Sequence, residues 1–273
     1  MTRLKGPLLL VGGGKMGGAM LRGWLKRGLA PGDAMVVEPN RAAMADEAKQ
    51  GISVHETADA IPDAFSPRVV ILAVKPQMMA ATLPAYRRYA RPGTLFVSIA
   101  AGKTIAYFER GLGSEVAIVR AMPNTPAAVG RGITVATPNA RVSSEDRALA
   151  DTLLEAVGEV HWVEDEKLID PVTAVSGGGP AYVFLLIECL AKAGEQGGLP
   201  ADLAMRLARV TVSGAGELAR LSDEPAATLR QNVTSPNGTT LEALKVLMAD
   251  DALQRLFTEA VAAATRRSRE LAD

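Results

Sequence analysis

A run of glycines directly after an apolar stretch is the first group of residues in this sequence that could do chemistry. The apolar residues 8–11 lead into Gly12-Gly13-Gly14-Lys15-Met16-Gly17, and a helical pattern follows. Glycines with this spacing between a strand and a helix let the backbone approach a pyrophosphate, which the amides and the dipole of the helix N-terminus bind. The pattern therefore predicts a dinucleotide site.

The end of the second predicted strand carries two signals that disagree about which dinucleotide is bound. Glu38 follows the glycines by the roughly 20 residues at which a carboxylate accepts hydrogen bonds from the ribose of NADH. Arg41 is close behind and could bind the 2′-phosphate of NADPH through its guanidinium group. A turn before a helix would also explain residues 38–41, so the choice between the cofactors stays open here.

A second polar group, Ser235-Pro236-Asn237-Gly238-Thr239-Thr240, directly precedes a helix pattern. Thr239 and Glu242 have the spacing of a capping box, which predicts Thr239 as the N-cap. That cap does not explain the remaining hydroxyls and the glycine. Hydroxyls and free amides at a helix N-terminus can bind a carboxylate. Carboxylate binding and plain helix capping remain the two alternatives.

Composition excludes several other kinds of site. The 273 residues include 30 Lys and Arg and 30 Asp and Glu, and this balance argues against a nucleic-acid partner. Cys189 is the single cysteine, and His55 and His161 stand apart from each other, so we expect no disulfide and no metal site. The N-terminus has no apolar region as long as that of a signal peptide, so we expect a cytoplasmic protein.

The elements that must position these groups change character along the chain. Short apolar runs alternate with helix patterns at first, which predicts an α/β domain with a doubly wound parallel sheet over residues 1–164. Helices are predicted at 16–27, 76–89 and 104–110. The predicted strands are 8–11, 35–38, 69–74, 94–99, 116–122, 133–136 and 160–164.

From residue 165 to residue 273 the pattern is helical throughout, which predicts an all-α second domain. The segment AYVFLLIECL after Pro180 is apolar on almost every side. A membrane span needs roughly 20 apolar residues, and Glu188 and Lys192 interrupt this one. We therefore expect no membrane contact and predict that this helix packs against a second subunit.

Six segments together resemble the pyrroline-5-carboxylate reductases: VGGGKMGGAML, LAVKPQ, SIAAGKTI, RAMPNTPAAVGRG, AVSGGGPAYVF and VTSPNGTTLEAL. The likeness covers essentially the whole chain in order. It implies a Rossmann-like sheet followed by a helical dimerisation domain, in a homodimer or a larger ring of dimers. It also implies reduction of the small cyclic imine 1-pyrroline-5-carboxylate to L-proline, with NADPH and sometimes NADH as the cofactor.

The resemblance also implies roles for individual residues. Ser235, Gly238, Thr239 and Thr240 would bind the substrate, with Thr240 beside the ring nitrogen as the catalytic residue. The cofactor would be bound by Gly12, Gly14, Lys15, Met16, Gly17, Asn40, Arg41, Ala73, Val74, Lys75, Pro76, Ala100, Ala101, Gly102 and Asn232.

The chain departs from the family pattern at three places. Gly178 stands where the family often has a serine, and Asn237 interrupts the usual SPGGTT. An asparagine that often precedes the fourth strand has no clear counterpart in residues 55–58. Two other functions stay open: another NADP-dependent reductase, and a non-catalytic dinucleotide sensor. Retention of the substrate loop argues against the sensor.

Overall fold

The structure is a computed structural model that describes residues 7–272. It divides into two units. The first comprises the described residues up to Gly177 together with the C-terminal turns from Ala264, and the second is Gly178–Ala263. Residues 165–177, which the sequence pattern assigns to the helical domain, group with the first unit, where Ile169 and Ala174 are buried.

The first unit is built on an eight-stranded sheet in the order β3-β2-β1-β4-β5-β6-β7-β8. All neighbouring strands are parallel except β6 and β7, which are antiparallel. The predicted doubly wound sheet is thus confirmed. The strands are β1 Leu8–Val11, β2 Ala34–Val37, β3 Ser53–His55, β4 Val69–Leu72, β5 Leu95–Ser98, β6 Ala117–Met122, β7 Gly132–Pro138 and β8 Gly158–Trp162.

Helices cover the sheet on both faces. Trp24 of α1 packs with Leu153 of α5 in one buried cluster, and Phe96 packs with Phe108 of α4 in the other. The helices of the first unit are α1 Lys15–Lys26, α2 Ala45–Lys49, α3 Met79–Thr82, α4 Ile105–Leu112, α5 Ser144–Leu154 and α6 Ile169–Val172.

The predicted helix over residues 76–89 is broken. It begins with the 3₁₀ turn Pro76–Met78, continues as α3, and ends as the 3₁₀ segment Leu83–Tyr89. Pro84 lies inside that last segment, and a proline lacks the amide that an α-helical hydrogen bond needs there. Further 3₁₀ turns are Pro31–Asp33, Arg41–Met44, Ala58–Ala60, Thr125–Val129, Glu155–Val157, Glu166–Leu168 and Ala249–Asp251.

The second unit is helical, as predicted. Its helices α7 and α8 pack closely where Gly194 meets Ala204, and the rings of Tyr182 and Phe257 meet edge to face at 6.5 Å between centroids. Its helices are α7 Gly179–Gln196, α8 Ala201–Leu221, α9 Ala226–Asn232, α10 Thr239–Met248 and α11 Ala252–Glu270, of which α11 continues into the first unit.

One stretch of the described chain, Glu166–Gln196, is long and apolar enough to cross a membrane by length and composition alone. Its turns are not uniform, because a π-helical turn, Thr173–Gly177, interrupts it before α7 begins. A single such stretch is weak support for a membrane span, since helices that pack against other protein segments pass the same test.

Candidate cofactor and substrate sites

The glycine run forms a tight turn between β1 and α1. Gly12 has φ +98°, and a Cβ there would lie 2.8 Å from the carbonyl oxygen of Ala73. A Cβ on Gly17 would overlap the carbonyl oxygen of Gly12. Both positions therefore need glycine, one for its backbone angle and one for close helix packing. Helix α1 begins after Gly14 with no side-chain cap among residues 7–272, so its first amides remain available to an anion.

A pocket of about 560 Å³ lies at the carboxyl ends of β1 to β4, where the strand order reverses. Open α/β sheets bind their ligands at this point. Five predicted cofactor residues line the pocket, namely Gly12, Gly14, Ala73, Val74 and Lys75. The other lining residues are Val11, Val37, Glu38, Pro39, Glu56, Thr57, Ala58, Met78, Ala81, Thr82, Ala85 and Tyr86.

The Glu38 carboxylate links the glycine turn after β1 to the segment after β2. Its Oε2 accepts a hydrogen bond from the Gly13 amide at 2.8 Å, and its Oε1 accepts one from the Asn40 amide at 2.9 Å. The side chain is half-buried. The carboxylate is consequently held in one position beside the glycine turn.

Four residues that line the pocket were not predicted as site residues: Thr57, Ala58, Thr82 and Tyr86. Thr57 and Ala58 follow β3, while Thr82 and Tyr86 follow β4. Burial raises the pKa of Tyr86 above its usual range, and the nearby Tyr89 adds to this shift. The carboxyl ends of neighbouring parallel strands lie at one edge of a sheet. Had β3 been predicted from the sequence, residues 56–58 would therefore have been predicted as pocket residues.

The other predicted cofactor residues of the first unit lie outside the lining of this pocket. Lys15, Asn40 and Arg41 are exposed, and Met16 and Pro76 are half-buried. The segment 100–102 follows β5 and is anchored locally: the Ala100 amide donates to Ser98 Oγ at 3.2 Å, and Gly102 has φ +72°. A role for these residues in cofactor binding stays a prediction.

A half-buried ion pair between Arg120 and Glu166 supports the start of α4, the helix that follows residues 100–102 in the chain. The Arg120 guanidinium donates to Glu166 Oε1 at 2.7 Å, and the Ile105 amide donates to the same oxygen at 2.8 Å. The side chain of Arg120 is only 4% exposed, against 29% for Glu166. One carboxylate thus neutralises a buried charge and satisfies an amide in the first turn of a helix.

In the second unit, residues 235–238 form a turn closed by a hydrogen bond from the Gly238 amide to the Ser235 carbonyl oxygen, at 3.1 Å. Asn237 has φ +59°, a conformation that asparagine tolerates better than most residues. This explains why asparagine can replace the family's glycine there. A Cβ on Gly238 would meet Ser235 Oγ, so the exposed Ser235 side chain would have to turn away to make room for it.

The expected capping box at Thr239 is wrong. Helix α10 has Gly238 as its N-cap, and Thr239 is already its first helical residue. Glu242 pairs with Lys245 at 2.7 Å and does not reach back to the helix start. The turn before Gly238 sets this arrangement, because it presents the Gly238 carbonyl to the amides of Leu241 and Glu242.

The start of α10 therefore presents several groups able to bind an anion. Within the described chain, the hydroxyls of Ser235, Thr239 and Thr240 make no hydrogen bond, and all three residues are exposed. Asn232, the predicted cofactor contact of this unit, donates to Glu224 at 3.1 Å. Hydroxyls and first-turn amides together could hold a small carboxylate.

Residues 7–272 contain no group of three or more His, Cys, Asp or Glu side chains that could hold a metal ion. The groups of the first unit suit a dinucleotide and not a metal ion. Its turn packs so closely against neighbouring backbone that two positions need glycine. The first amides of α1 have no side-chain cap, and the Glu38 carboxylate lies beside the turn.

Two family models match the chain. Residues 166–271 match the family described as pyrroline-5-carboxylate reductase dimerisation, and residues 8–102 match that described as NADP oxidoreductase, coenzyme F420-dependent. A pyrroline-5-carboxylate reductase of Pseudomonas aeruginosa is 41% identical over 269 residues, covering 97% of each protein. That of Escherichia coli is 39% identical over 241 residues, covering 87% of this chain and 88% of its own.

Solved structures agree with these matches. A pyrroline-5-carboxylate reductase from Coxiella burnetii is similar with a TM-score of 0.91 at 35% identity, covering 98% of this chain and 99% of its own. A Plasmodium falciparum pyrroline carboxylate reductase, solved with NADP bound, has a TM-score of 0.82 at 30% identity over 100% of both chains. These likenesses confirm the predicted fold class. The chain therefore belongs to the pyrroline-5-carboxylate reductase family.

Proposed function

We propose that the chain catalyses the last step of proline biosynthesis, the reduction of 1-pyrroline-5-carboxylate to L-proline, with the residues described above. Its family makes it an oxidoreductase that uses NAD(P)H. The observation that carries the site proposal is the start of α10, where unbonded hydroxyls stand beside first-turn amides. Such donors suit the carboxylate of a small amino-acid precursor.

The cofactor is held by the first unit. The uncapped amides at the start of α1 and the glycine backbone around Gly12 suit a pyrophosphate, and Glu38 lies where the adenosine ribose belongs. When bound, the cofactor supplies a hydride to the imine carbon. The protein contributes position and the exclusion of water, and needs no metal for this reaction.

The substrate is held by residues 235–240. Ser235 Oγ and the amides of Gly238 and Thr239 bind its carboxylate, while the Thr240 hydroxyl lies beside the ring nitrogen and donates a hydrogen bond to the lone pair that forms there during hydride transfer. As the carbon–nitrogen double bond is reduced, the nitrogen keeps the electron pair of the π bond and becomes an amine. A protonated imine is already electrophilic, so one well-placed donor is enough and no strong general acid is required.

We infer that the chain is a homodimer, joined through its helical region, and that dimers can assemble further. The match of residues 166–271 to a dimerisation family supports this. So does the exposure of apolar residues on α7, among them Phe184, Leu185 and Leu186. On this proposal the stretch Glu166–Gln196 packs against protein and not against lipid. A cytoplasmic location and the absence of a nucleic-acid partner stay predictions.

The test is the oxidation of NADPH and of NADH by the purified protein, followed by absorbance with and without 1-pyrroline-5-carboxylate. We expect substrate-dependent oxidation and formation of proline, identified by chromatography. A folded protein that binds either dinucleotide but forms no proline would contradict the proposed substrate. Turnover of other imines, and not of this one, would point instead to another reductase of the same fold.

A further inference from the structure

The end of the last helix, α11, is fixed to the first unit by a buried hydrogen bond. Residues from Ala264 onward belong to that unit, and Ser268 is the buried residue of α11, at 6% exposure. Its hydroxyl donates to Asp170 Oδ1 at 2.7 Å, although the two residues are 98 positions apart in the sequence. The ends of a chain usually fray unless a specific contact holds them. This hydrogen bond supplies such a contact.

The Asp170 carboxylate needs this hydroxyl because little of it reaches water. Its side chain is 13% exposed and belongs to α6, beside the buried Ile169. A buried carboxylate must regain from donors what it loses in hydration. Arg269 Nε lies 3.9 Å from the second carboxylate oxygen, but the Arg269 side chain is 63% exposed. The hydrogen bond from Ser268 is therefore the stronger of the two contacts.

The residue after the helix, Leu271, lies directly against Gly102. A Cβ on Gly102 would be 3.0 Å from the Leu271 carbonyl oxygen and 3.3 Å from the Leu271 Cβ, and Gly102 has φ +72°. The Leu271 amide donates to the carbonyl oxygens of Arg267 and Ser268, each at 3.2 Å. Leu271 thus continues the turn that contains Ser268, and this turn packs against the segment 100–102.

The segment 100–102 lies at the carboxyl end of β5. In the strand order β3-β2-β1-β4-β5, the glycine turn follows β1 and Glu38 follows β2, so the end of β5 lies on the opposite side of the glycine turn from Glu38. A dinucleotide whose pyrophosphate lies on the glycine turn extends its adenosine to one side and its nicotinamide to the other. With adenosine beside Glu38, the nicotinamide side is that of residues 100–102.

We propose that the hydrogen bond between Ser268 and Asp170 holds residues 100–102 in position for the nicotinamide end of the cofactor. Ser268 and Asp170 are then positioning residues, which act through Leu271 and Gly102. The inference rests on the proposed function in its cofactor site and not in its substrate. The alternative is a purely structural hydrogen bond, which stabilises the first unit without a particular effect on this segment.

The first test is isothermal titration calorimetry of the full-length protein with NADPH, with NADH and with ADP, in the absence of an imine. ADP keeps the adenosine and the pyrophosphate but lacks the nicotinamide. We expect Ser268→Ala to raise the Kd of the dinucleotide by about three- to tenfold and to leave the Kd of ADP unchanged. An equal loss for ADP, or no loss for either dinucleotide, would overturn the proposal.

Two further variants assign the effect to this one hydrogen bond. Asp170→Ala removes the acceptor, so the double variant with Ser268→Ala should bind the dinucleotide no more weakly than Asp170→Ala alone. Losses that multiply would show that the two side chains act separately, which contradicts the proposal. Glu270→Gln is the control in the same turn, because Glu270 forms an exposed ion pair with Arg267. A loss in Glu270→Gln equal to that in Ser268→Ala would also contradict it.

Hydrogen–deuterium exchange of the ligand-free protein gives a readout that is independent of binding. In Ser268→Ala, the amides of residues 100–105 should exchange faster than in wild type, while those of the glycine turn, residues 12–17, should not change. Faster exchange throughout the first unit, or no change in residues 100–105, would favour the purely structural role and overturn the proposal. If Asp170→Ala fails to fold by circular dichroism, Ser268→Ala and Glu270→Gln still decide the question.

Neither measurement involves turnover. A protein that shows the expected binding and exchange but forms no proline would therefore contradict the proposed substrate and leave this inference standing. A protein that forms proline, but whose Ser268→Ala variant binds the dinucleotide as wild type does, would contradict this inference alone.

Discussion

The two units of this chain bury their apolar residues to very different degrees. The first encloses Trp24, Tyr86, Phe96 and Phe108 almost completely between a sheet and its helices. In residues 178–263, all of which the structure describes, the buried side chains are those of three alanines, at positions 191, 204 and 208. Large apolar patches on a protein surface usually mark an interface. The first unit completes its core within the chain, and the exposure of the second unit's apolar residues supports the proposal that this unit packs against a partner subunit.

The functional groups follow the same division. In the first unit, Glu38 and Glu166 are held by backbone amides and neighbouring charges. At the start of α10, the hydroxyls of Ser235 and Thr240 have no hydrogen-bond partner among the described residues. The first site is thus preorganised by its own fold, while the second has unbonded hydroxyls, which we propose bind the substrate.

The largest effect is expected from a charge on the exposed apolar face of α7. Leu186 is 50% exposed within the chain and becomes buried in the proposed dimer. We expect Leu186→Asp to destabilise the dimer by several kcal/mol, about 3–5, because it leaves a charge buried without a partner. Light scattering should show monomers or aggregates, and circular dichroism should show a loss of helix.

Lys192→Asp is the matched control on the same helix. Lys192 is exposed and pairs with Glu195, so its replacement should leave the dimer assembled. Both tryptophans, Trp24 and Trp162, lie in the first unit, so fluorescence reports on that unit alone. A fully active Leu186→Asp monomer with intact helix content would refute the argument that the second unit needs a partner.

The next effect concerns the ion pair of Arg120 with Glu166 at the start of α4. Glu166→Ala leaves the Arg120 guanidinium buried without its carboxylate and removes the acceptor of the Ile105 amide. We expect a loss of about 3 kcal/mol in the free energy of unfolding of the first unit. Urea denaturation followed by tryptophan fluorescence measures it. Glu166→Gln should lose less, because it can still accept from Ile105.

The exposed pair of Arg141 with Glu115 has the same separation, 2.7 Å, and serves as the control. Because water screens it, Glu115→Ala should cost less than about 1 kcal/mol. Equal losses for Glu115→Ala and Glu166→Ala would mean that burial does not set the strength of the inner pair.

The third prediction tests the donors of the second unit. Thr240→Val keeps the shape of the side chain but removes the hydroxyl that we assign to the ring nitrogen. We expect kcat to fall by about 10², the lower end for loss of a preorganised donor, because the protonated imine is already activated. Steady-state kinetics with 1-pyrroline-5-carboxylate measures this. Turnover near the wild-type rate would leave Thr240 as a helix-start residue only.

Ser235→Ala is the companion variant. The Ser235 hydroxyl is assigned to the carboxylate, which it binds equally before and during hydride transfer. We therefore expect a higher KM with little change in kcat. If both variants changed the same kinetic parameter, the separate assignments of Ser235 and Thr240 would not hold.

The sequence predicts those elements whose own residues determine them. The bounds of β1 are correct because four apolar residues end at a glycine turn. Strand β3 escapes prediction because Ser53, Val54 and His55 contain a single apolar residue, and its pairing with β2 makes it a strand. The pocket wall formed by Thr57 and Ala58 was missed for the same reason.

Capping shows a second limit. Ser143 with Asp146 and Thr239 with Glu242 have the same spacing, yet only the first pair forms a capping box. The turn before Gly238 decides the difference, and it depends on the positive φ of Asn237, which spacing alone does not show. The doubly wound sheet and the dinucleotide turn were predictable from pattern, whereas individual caps depend on the path of the preceding chain.

The smallest effect is a pH dependence within the first unit. Burial of Asp146 would raise its pKa, but hydrogen bonds from Ser143 and Arg68 outweigh this, and the net pKa lies below its usual value. A carboxyl with a lowered pKa in the folded state stabilises the fold above its unfolded pKa of about 3.9, and this contribution disappears as the pH falls through the folded value. Asp146→Asn should thus be less stable than wild type at pH 7, by about 1 kcal/mol or less. The difference should shrink as the pH falls below 4, in urea titrations followed by tryptophan fluorescence.

Glu145→Gln is the control. The adjacent Glu145 side chain is 87% exposed and lies 3.9 Å from Arg68, whereas the Asp146 side chain is 12% exposed and lies 2.8 Å from it. A pH-independent difference between wild type and Asp146→Asn would mean that the charge of Asp146 adds nothing to its role in the cap.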